Sequence, residues 1–330
     1  MIKTRMATRQ DAGKITEFIG NHWKRDHIFV KWPALLDWQH ADDDSLNFVL
    51  AESGAEIMAI LGFIPHRRYD AALTKNAIGL AIWKTVENAP PGLGVGLLKH
   101  LIRSERPSIV MAIGLSAQVV PLYAAMGFAV GQLKTFFLPN PSVSHSIGQN
   151  LPEPEWSAEA RQVPHVVLRV PVLPPKSSTY LENRYAEHPV YEYDFVRCGT
   201  SERHLTLVLR RIGVGDSAIA RITDYSGEPR LLPLATEGLL ELIAKHRLEY
   251  VDFVQHGFPT ATLHSCGFID RTSLPNCVIP GYFEPFEPSN VTLDYAYKVF
   301  DGEPHAVILT RGDTDQDRPN RHPGSEESLK

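Results

Sequence analysis

The sequence predicts an α/β (α+β) protein of two domains, each with a mixed sheet and helices against it. Three observations carry that expectation. The chain has 330 residues, and domains commonly run to about 100–200. Segments with strand periodicity stand both before and after segments with helical periodicity, which suits a mixed sheet better than an all-helical or all-strand fold. The two halves also repeat one order of elements: helix, strand pair, long helix, strand, short helix, then a Gly-Phe dipeptide, at Gly127-Phe128 and again at Gly267-Phe268. That repetition reads as a divergent internal duplication.

Taken in order, residues 2–6 read as a first strand. Asp11 can cap the helix after it, where Ile15, Phe18, Ile19 and Trp23 recur at helical spacing. Residues 47–52 and 56–64 form a hairpin turning at Ser53-Gly54, and 76–86 is a further strand. A glycine loop, Gly92-Leu93-Gly94-Val95-Gly96, leads straight into a helix over 97–103. Residues 108–113 are an apolar strand, 117–125 a short helix and 128–138 another strand. The stretch 107–133 has no charged residue, yet Pro107, Gly114, Pro121, Gly127 and Gly131 interrupt it, so it is not a membrane span.

Eight prolines fall between Pro139 and Pro175, which marks a linker. The expected division is therefore a domain over 1–138, a linker over 139–162, a second domain over 163–312 and a polar tail over 313–330. In the second domain 163–170 reads as a strand, 180–186 as a helix and 191–197 as extended. Residues 204–211 and 218–225 form a hairpin, 231–247 a long helix, 250–255 a strand, 260–266 a short helix and 292–299 a last strand. Asp313-x-Asp315-x-Asp317 resembles a calcium loop, but Arg318 and Gly324 stand where that loop needs Gly and Glu, so a solvated tail is expected, beside the alternative that residues 311–320 fold back to contact a substrate.

The composition narrows the classes of function. Lys and Arg total 33 against 38 Asp and Glu, so no basic excess drives binding to nucleic acid or an anionic membrane. Three scattered cysteines, Cys198, Cys266 and Cys277, make neither a disulfide framework nor a metal site. With no signal-peptide core at the N-terminus, the expected setting is cytoplasmic.

The glycine loop carries the chemistry. Glycines at a helix N-terminus let backbone N–H groups approach an anion, and a pyrophosphate is the natural ligand. A dinucleotide fingerprint fails because Leu97 stands at the third glycine, and a P-loop fails for want of Gly-Lys-Ser/Thr. A loop for the pyrophosphate of coenzyme A remains, beside the plainer reading of a tight strand-to-helix turn.

The order strand, Pro-Gly-Leu-Gly-Val-Gly-Leu-Leu, helix, apolar strand, then Leu122-Tyr123-x-x-Met126-Gly127-Phe128 resembles the GNAT (GCN5-related) N-acyltransferases over residues 1–138. Pro91 departs from the family's usual Gln or Arg. The resemblance implies two GNAT-like domains with mostly antiparallel sheets, the second degenerate, and acetyl-CoA as co-substrate with no metal. It implies that Leu93, Gly94, Val95 and Gly96 lie against the pyrophosphate. Lys84, Thr85 and Val86 would pair with the pantetheine arm, and Ser116 would join the cofactor site. Tyr123 matches the family tyrosine that protonates the departing thiolate, a role that competes with simple packing. His22, His66 and Glu87 are candidate bases, beside a water relay without a dedicated base.

The family's acceptor pocket follows the first helix. Here that segment offers His22, Trp23, His27 and Trp38, as a platform for a sugar ring or base or else as core. The pattern is similar to tandem GNAT proteins of surface-polysaccharide biosynthesis, which implies a nucleotide-linked amino sugar as the amine. An amino acid or peptide amine, or a non-catalytic acyl-CoA or carbohydrate sensor, are the alternatives. The expected partners are small molecules only, in a monomer that is an internal pseudo-dimer or in a homodimer. In the second half Glu228 and Pro229 replace the glycine loop, and Leu263 or His264 stands in place of Tyr123.

Overall fold

The computed structural model describes residues 2–152, 170–302 and 305–319. The expected strand at 163–170 but for Val170, the linker beyond residue 152 and the tail beyond residue 319 lie outside them. In the first half come β1 (Ile2–Thr8), α1 (Ala12–His22), α2 (Ile28–Lys31), α3 (Pro33–His40), β2 (Ala41–Asp42), β3 (Ser45–Ser53), β4 (Glu56–Pro65), β5 (Ala77–Thr85), α4 (Leu93–Glu105), β6 (Ile109–Leu115), α5 (Val120–Ala125), β7 (Ala129–Gln132) and β8 (Lys134–Pro139). After them come β9 (Val172–Leu173), α6 (Ser178–Leu181), β10 (Tyr193–Gly199), β11 (His204–Val214), β12 (Ser217–Gly227), α7 (Leu232–His246), β13 (Tyr250–His256), α8 (Thr260–Ser265) and β14 (Ile269–Asp270). The chain ends with β15 (Pro280–Phe283), β16 (Phe286–Asn290), β17 (Asp294–Val299), β18 (Ala306–Val307) and β19 (Leu309–Thr310).

Alternation along the strands decides where the layers sit. In β3, Leu46, Phe48 and Leu50 point to one face and pack with Ile15, Phe18 and Ile19 of α1. Val49 and Ala51 point to the other face and pack with Leu97, Leu98 and Leu101 of α4. Both faces are thus covered, and β3 is buried from Leu46 to Ala51. A capping box between Thr8 and Asp11 starts the turn into α1. Arg5 ties Asp11 to Glu52 of β3, at 2.7 and 2.6 Å.

Two sheets result, both mixed and mostly antiparallel. The first runs β1-β3-β4-β5-β6-β17-β7, with β2 beside β3, and the second runs β10-β11-β12-β13-β8-β14, with β19 beside β13. Each has one parallel pair, β5 with β6 and β12 with β13. The halves share finer marks. The long helices α4 and α7 both end on a left-handed arginine, Arg106 (φ 46°) and Arg247 (φ 50°).

The expected division at residue 138 does not separate the sheets. The single strand expected over 128–138 is two: β7 stays in the first sheet, and β8 crosses to the second, between β13 and β14. In return β17, from the second half, lies between β6 and β7 in the first sheet. Each half lends one strand to the other, so neither sheet is complete without both. The start of the expected linker is docked rather than extended. Buried Glu249 accepts hydrogen bonds from the backbone N–H groups of Ser146 (2.7 Å), Ile147 (2.9 Å) and Gly148 (3.0 Å). Burial opposes ionisation of that carboxyl, but these donors hold it below its ordinary range.

The expected polar tail is the largest departure. Residues 310–318 are buried along nearly their whole length, between the two sheets. Their charges are largely matched: Lys176 bridges Asp224 (2.5 Å) and Asp313 (2.8 Å), and Thr310 donates to Asp224 (3.1 Å). Burial alone would lower the Lys176 ammonium, yet the two aspartates hold it above its ordinary value. On the first sheet the Asp313 carbonyl lies where a Cβ on Gly79 would be, so only glycine admits the segment there.

Candidate active site

β5 and β6 pair only over Ala77–Gly79 against Ile109–Met111 and then part. The register between β4 and β5 gains a residue where Leu61 faces Trp83 and Phe63 faces Leu80, which is a β-bulge at 81–82. A bulge bends its strand and leaves a residue out of the ladder. Beyond it opens a cleft of about 620 Å³. Its walls are Leu80 to Trp83 and Thr85 on one side, and Ala112 to Ser116 with Leu122 and Tyr123 on the other. Gly92, Gly94 and Val95 close one end, and Trp23, Tyr282, Asp315 and Gln316 also face it.

The helix end facing the cleft is uncapped. Gly92 is the N-cap of α4, with φ 82°, and no side chain caps the turn. The first N–H groups of a helix have no partner within the helix, and its dipole is positive there. A Cβ on Gly92 or Gly96 would meet open space. Gly94 is glycine for a different reason than expected: a Cβ there would stand 2.9 Å from the Trp83 indole nitrogen. Leu93, expected against the pyrophosphate, packs partly buried on the α4 core, and Gly96 is exposed at the first turn without lining the cleft.

Tyr123 is 1% exposed, and its ring meets those of Phe128 (5.1 Å) and Trp83 (5.7 Å) edge to face. The Phe128 N–H donates to the Tyr123 carbonyl (3.1 Å), which is why the tyrosine stands at a fixed distance before Gly-Phe. Burial pushes its hydroxyl well above the usual phenol value, so the phenol is protonated at neutral pH.

The other expected residues divide. Ser116 and Thr85 line the cleft, but Lys84, Val86, His22 and Glu87 line a separate pocket of about 740 Å³ that shares only Thr85 with it. His66 is fully buried, 4.8 Å from the Tyr180 ring, with Nε2 3.4 Å from the Asp313 carbonyl. Burial, with Arg184 and Lys176 near, lowers its pKa to about 3. It reaches neither pocket, so the geometry removes it as a base. His27 is also buried, and its Nδ1 accepts from the Phe29 N–H (3.2 Å) to cap α2. Trp38 packs on His188, with ring centres 4.4 Å apart. The expected aromatic platform is therefore not assembled: of its members only Trp23, 44% exposed, faces the cleft.

Asp315 and Gln316, which face the cleft, were not singled out in the sequence beyond the alternative that 311–320 folds back, because a run of polar residues carries no signal of where it packs. Burial raises the Asp315 pKa, with Arg318 pulling the other way. Among the described residues no group of three or more His, Cys, Asp or Glu is placed to hold a metal ion, and no helix is long and apolar enough to cross a membrane.

No family model matches the sequence, and no curated protein matches it. Solved structures do match its fold. A GCN5-related N-acetyltransferase from Anabaena variabilis ATCC 29413 is similar at 14% identity and a TM-score of 0.50, over 91% of this chain and 73% of that one. Another, from Kribbella flavida, is similar at 11% identity and a TM-score of 0.48, over 91% and 72%. Over most of its length, the chain has the fold seen in GCN5-related N-acetyltransferases.

Proposed function

We propose that the chain is an acetyl-CoA-dependent N-acetyltransferase acting on a primary amine. The observation that supports this best is the cleft itself. An uncapped helix N-terminus stands at one end, the freed edge of a bulged strand forms one wall, and a protonated phenol lies in the other. Acetyl-CoA would supply a thioester with an electrophilic acyl carbon and a thiolate leaving group.

The residues then divide the work. Gly94 and Val95, at the first turn of α4, offer backbone N–H groups to phosphate. The bulged stretch at 81–82 leaves backbone N–H available to polarise a carbonyl oxygen. Tyr123 gives a proton to the departing sulfur. Asp315, the carboxylate on the cleft wall, takes the proton that the amine must lose. Transfer is direct, so catalysis rests on positioning and on these two proton movements.

A nucleotide-linked amino sugar of surface-polysaccharide biosynthesis stays within this reading, with stacking limited to Trp23. The test is thiol release from acetyl-CoA over a panel of amines. Release with at least one amine is expected. Binding of acetyl-CoA with release for none would identify an acyl-CoA sensor instead.

A further inference from the structure

A third pocket, of about 260 Å³, adjoins the cleft, and Tyr282 and Gln316 line both. Four arginines border it: Arg210, Arg221, Arg311 and Arg318. Three are engaged. Arg210 pairs with Glu284 (2.7 Å), Arg221 holds Asp252 (2.5 and 2.9 Å), and Arg318 donates twice to Gln39 (3.0 and 2.6 Å).

Arg311 is different. It is 4% exposed, and among the described residues no carboxylate oxygen lies within 4.0 Å of its nitrogens. It has two long contacts to carbonyls, Gln316 and Gly281, both 3.4 Å, and its Nε is buried without a partner. Burial, with Arg221 close by, lowers its pKa to about 9. Of the nearby acids, Asp252 is taken by Arg221, Asp317 by the Tyr193 hydroxyl (2.8 Å), and Glu284 by Arg210 through Oε1, while the buried Oε2 of Glu284 has no partner among the described residues and forms no ion pair with Arg311. Glu287 stands exposed at the rim. A buried cation without a counter-charge is costly, and a bidentate oxyanion is the partner its planar fork fits.

We propose that the acceptor amine also carries an oxyanion, a carboxylate or a phosphate, which Arg311 receives while the amine reaches past Tyr282 and Gln316 into the cleft. The proposal rests on the acetyltransferase reading for the amine, but the anion site itself does not. It narrows the acceptor to amino acids, amino-sugar phosphates and similar zwitterions, and away from neutral alkylamines.

The test compares wild type, R311Q and R311K. In melting scans, inorganic phosphate or acetate raises the wild-type Tm by more than that of R311Q, whose α4 helix end still offers a phosphate site. Without anion R311Q melts no lower than wild type, because it removes an uncompensated buried charge. In thiol release at saturating acetyl-CoA, paired amines are compared: glycine with glycinamide, and glucosamine 6-phosphate with glucosamine. Wild type favours the anionic member, and R311Q raises its KM roughly 10- to 100-fold. R311K, which keeps the charge and loses the fork, falls between. The pair with the larger effect tells carboxylate from phosphate. Acetyl-CoA affinity by calorimetry is the same in all three, since Arg311 does not line the cleft. An equal phosphate response in wild type and R311Q overturns the proposal, as does failure of R311Q to fold or indifference of the wild type to acceptor charge. If no amine is acetylated, the activity reading falls while the melting scans still decide the anion site.

Discussion

In the first sheet the wedge between β5 and β6 is open, with an uncapped helix end above it and Tyr123 in its wall. In the second sheet the matching wedge, between β12 and β13, is filled by the chain itself. β19 pairs with Gln255 and His256 there, and Lys176 and Thr310 bind Asp224 on the facing strand. The backbone is alike in both: parallel over three residues, with a one-residue bulge, at 81–82 in one and at Thr223 in the other. The side chains differ. The helix end at α7 carries Leu231, Leu232 and Pro233, all buried, where α4 carries glycines. Leu263 takes the place of Tyr123, for the Phe268 N–H donates to its carbonyl as the Phe128 N–H does to that of Tyr123. One backbone thus gives an open cleft or a packed interior, according to whether the helix end is bare and what fills the gap.

The same terminal segment serves both wedges. Thr310 to Asp313 close the second, while Asp315 and Gln316 form part of the first. The halves are therefore one folding unit, and separating them has the largest expected effect. A chain ending at residue 140 lacks β17, which sits between β6 and β7, and lacks the segment packed on Gly79. It is expected to give no cooperative melting transition. A soluble fragment that melts cooperatively would show that the exchanged strands are dispensable.

Next in size is the open wedge's chemistry. Tyr123→Phe keeps the ring and removes the proton, so kcat should fall roughly 10²–10⁴-fold while acetyl-CoA affinity and Tm stay put. Asp315→Asn should lower kcat in the same way and alter the alkaline-to-acid profile, because it removes the group proposed to accept the amine proton. A Phe variant with full kcat and lower Tm would return Tyr123 to packing.

A smaller effect separates anion binding from packing at the loop. Gly94→Asp does not discriminate, since it also strikes Trp83. Gly96→Asp meets open space and puts a carboxylate on the first turn of α4, where it favours the helix and repels phosphate. Acetyl-CoA should bind roughly 10-fold or more weakly, with Tm unchanged or higher. Unchanged affinity would dissociate the loop from the cofactor.

How much of this could be read in the sequence follows from what patterns encode. The β3–β4 hairpin, α4, and the spacing from Tyr123 to Gly127-Phe128 are local, set by periodicity, turn glycines and one backbone hydrogen bond, and they were legible. The strand exchange was not. Alternation in β8 and β17 tells which faces are buried but not which sheet supplies the neighbours. The burial of Thr310 to Arg318 was hidden because polar residues are read as solvated, whereas here Lys176, Asp224 and Asp313 satisfy one another. His27, His66 and Trp38 were drawn toward the site by residue type, and packing removed them.

Those buried histidines test the packing itself. Burial lowers His27, His40, His66 and His188 to about 3 each. Unfolded, each takes up a proton near pH 6.5. Their contribution is therefore full above that pH and lost as pH falls toward 3, at about 1.4 kcal/mol per pH unit for each group. Tm should drop steadily from pH 6.5 to pH 5. A flat Tm over that range would mean that these rings are protonated in the folded chain.

The central contrast, one open wedge and one filled, is tested most directly by counting. Calorimetric titration of the full chain with acetyl-CoA should give one site per chain, abolished or weakened by Gly96→Asp. Two sites per chain, or none, would contradict the account.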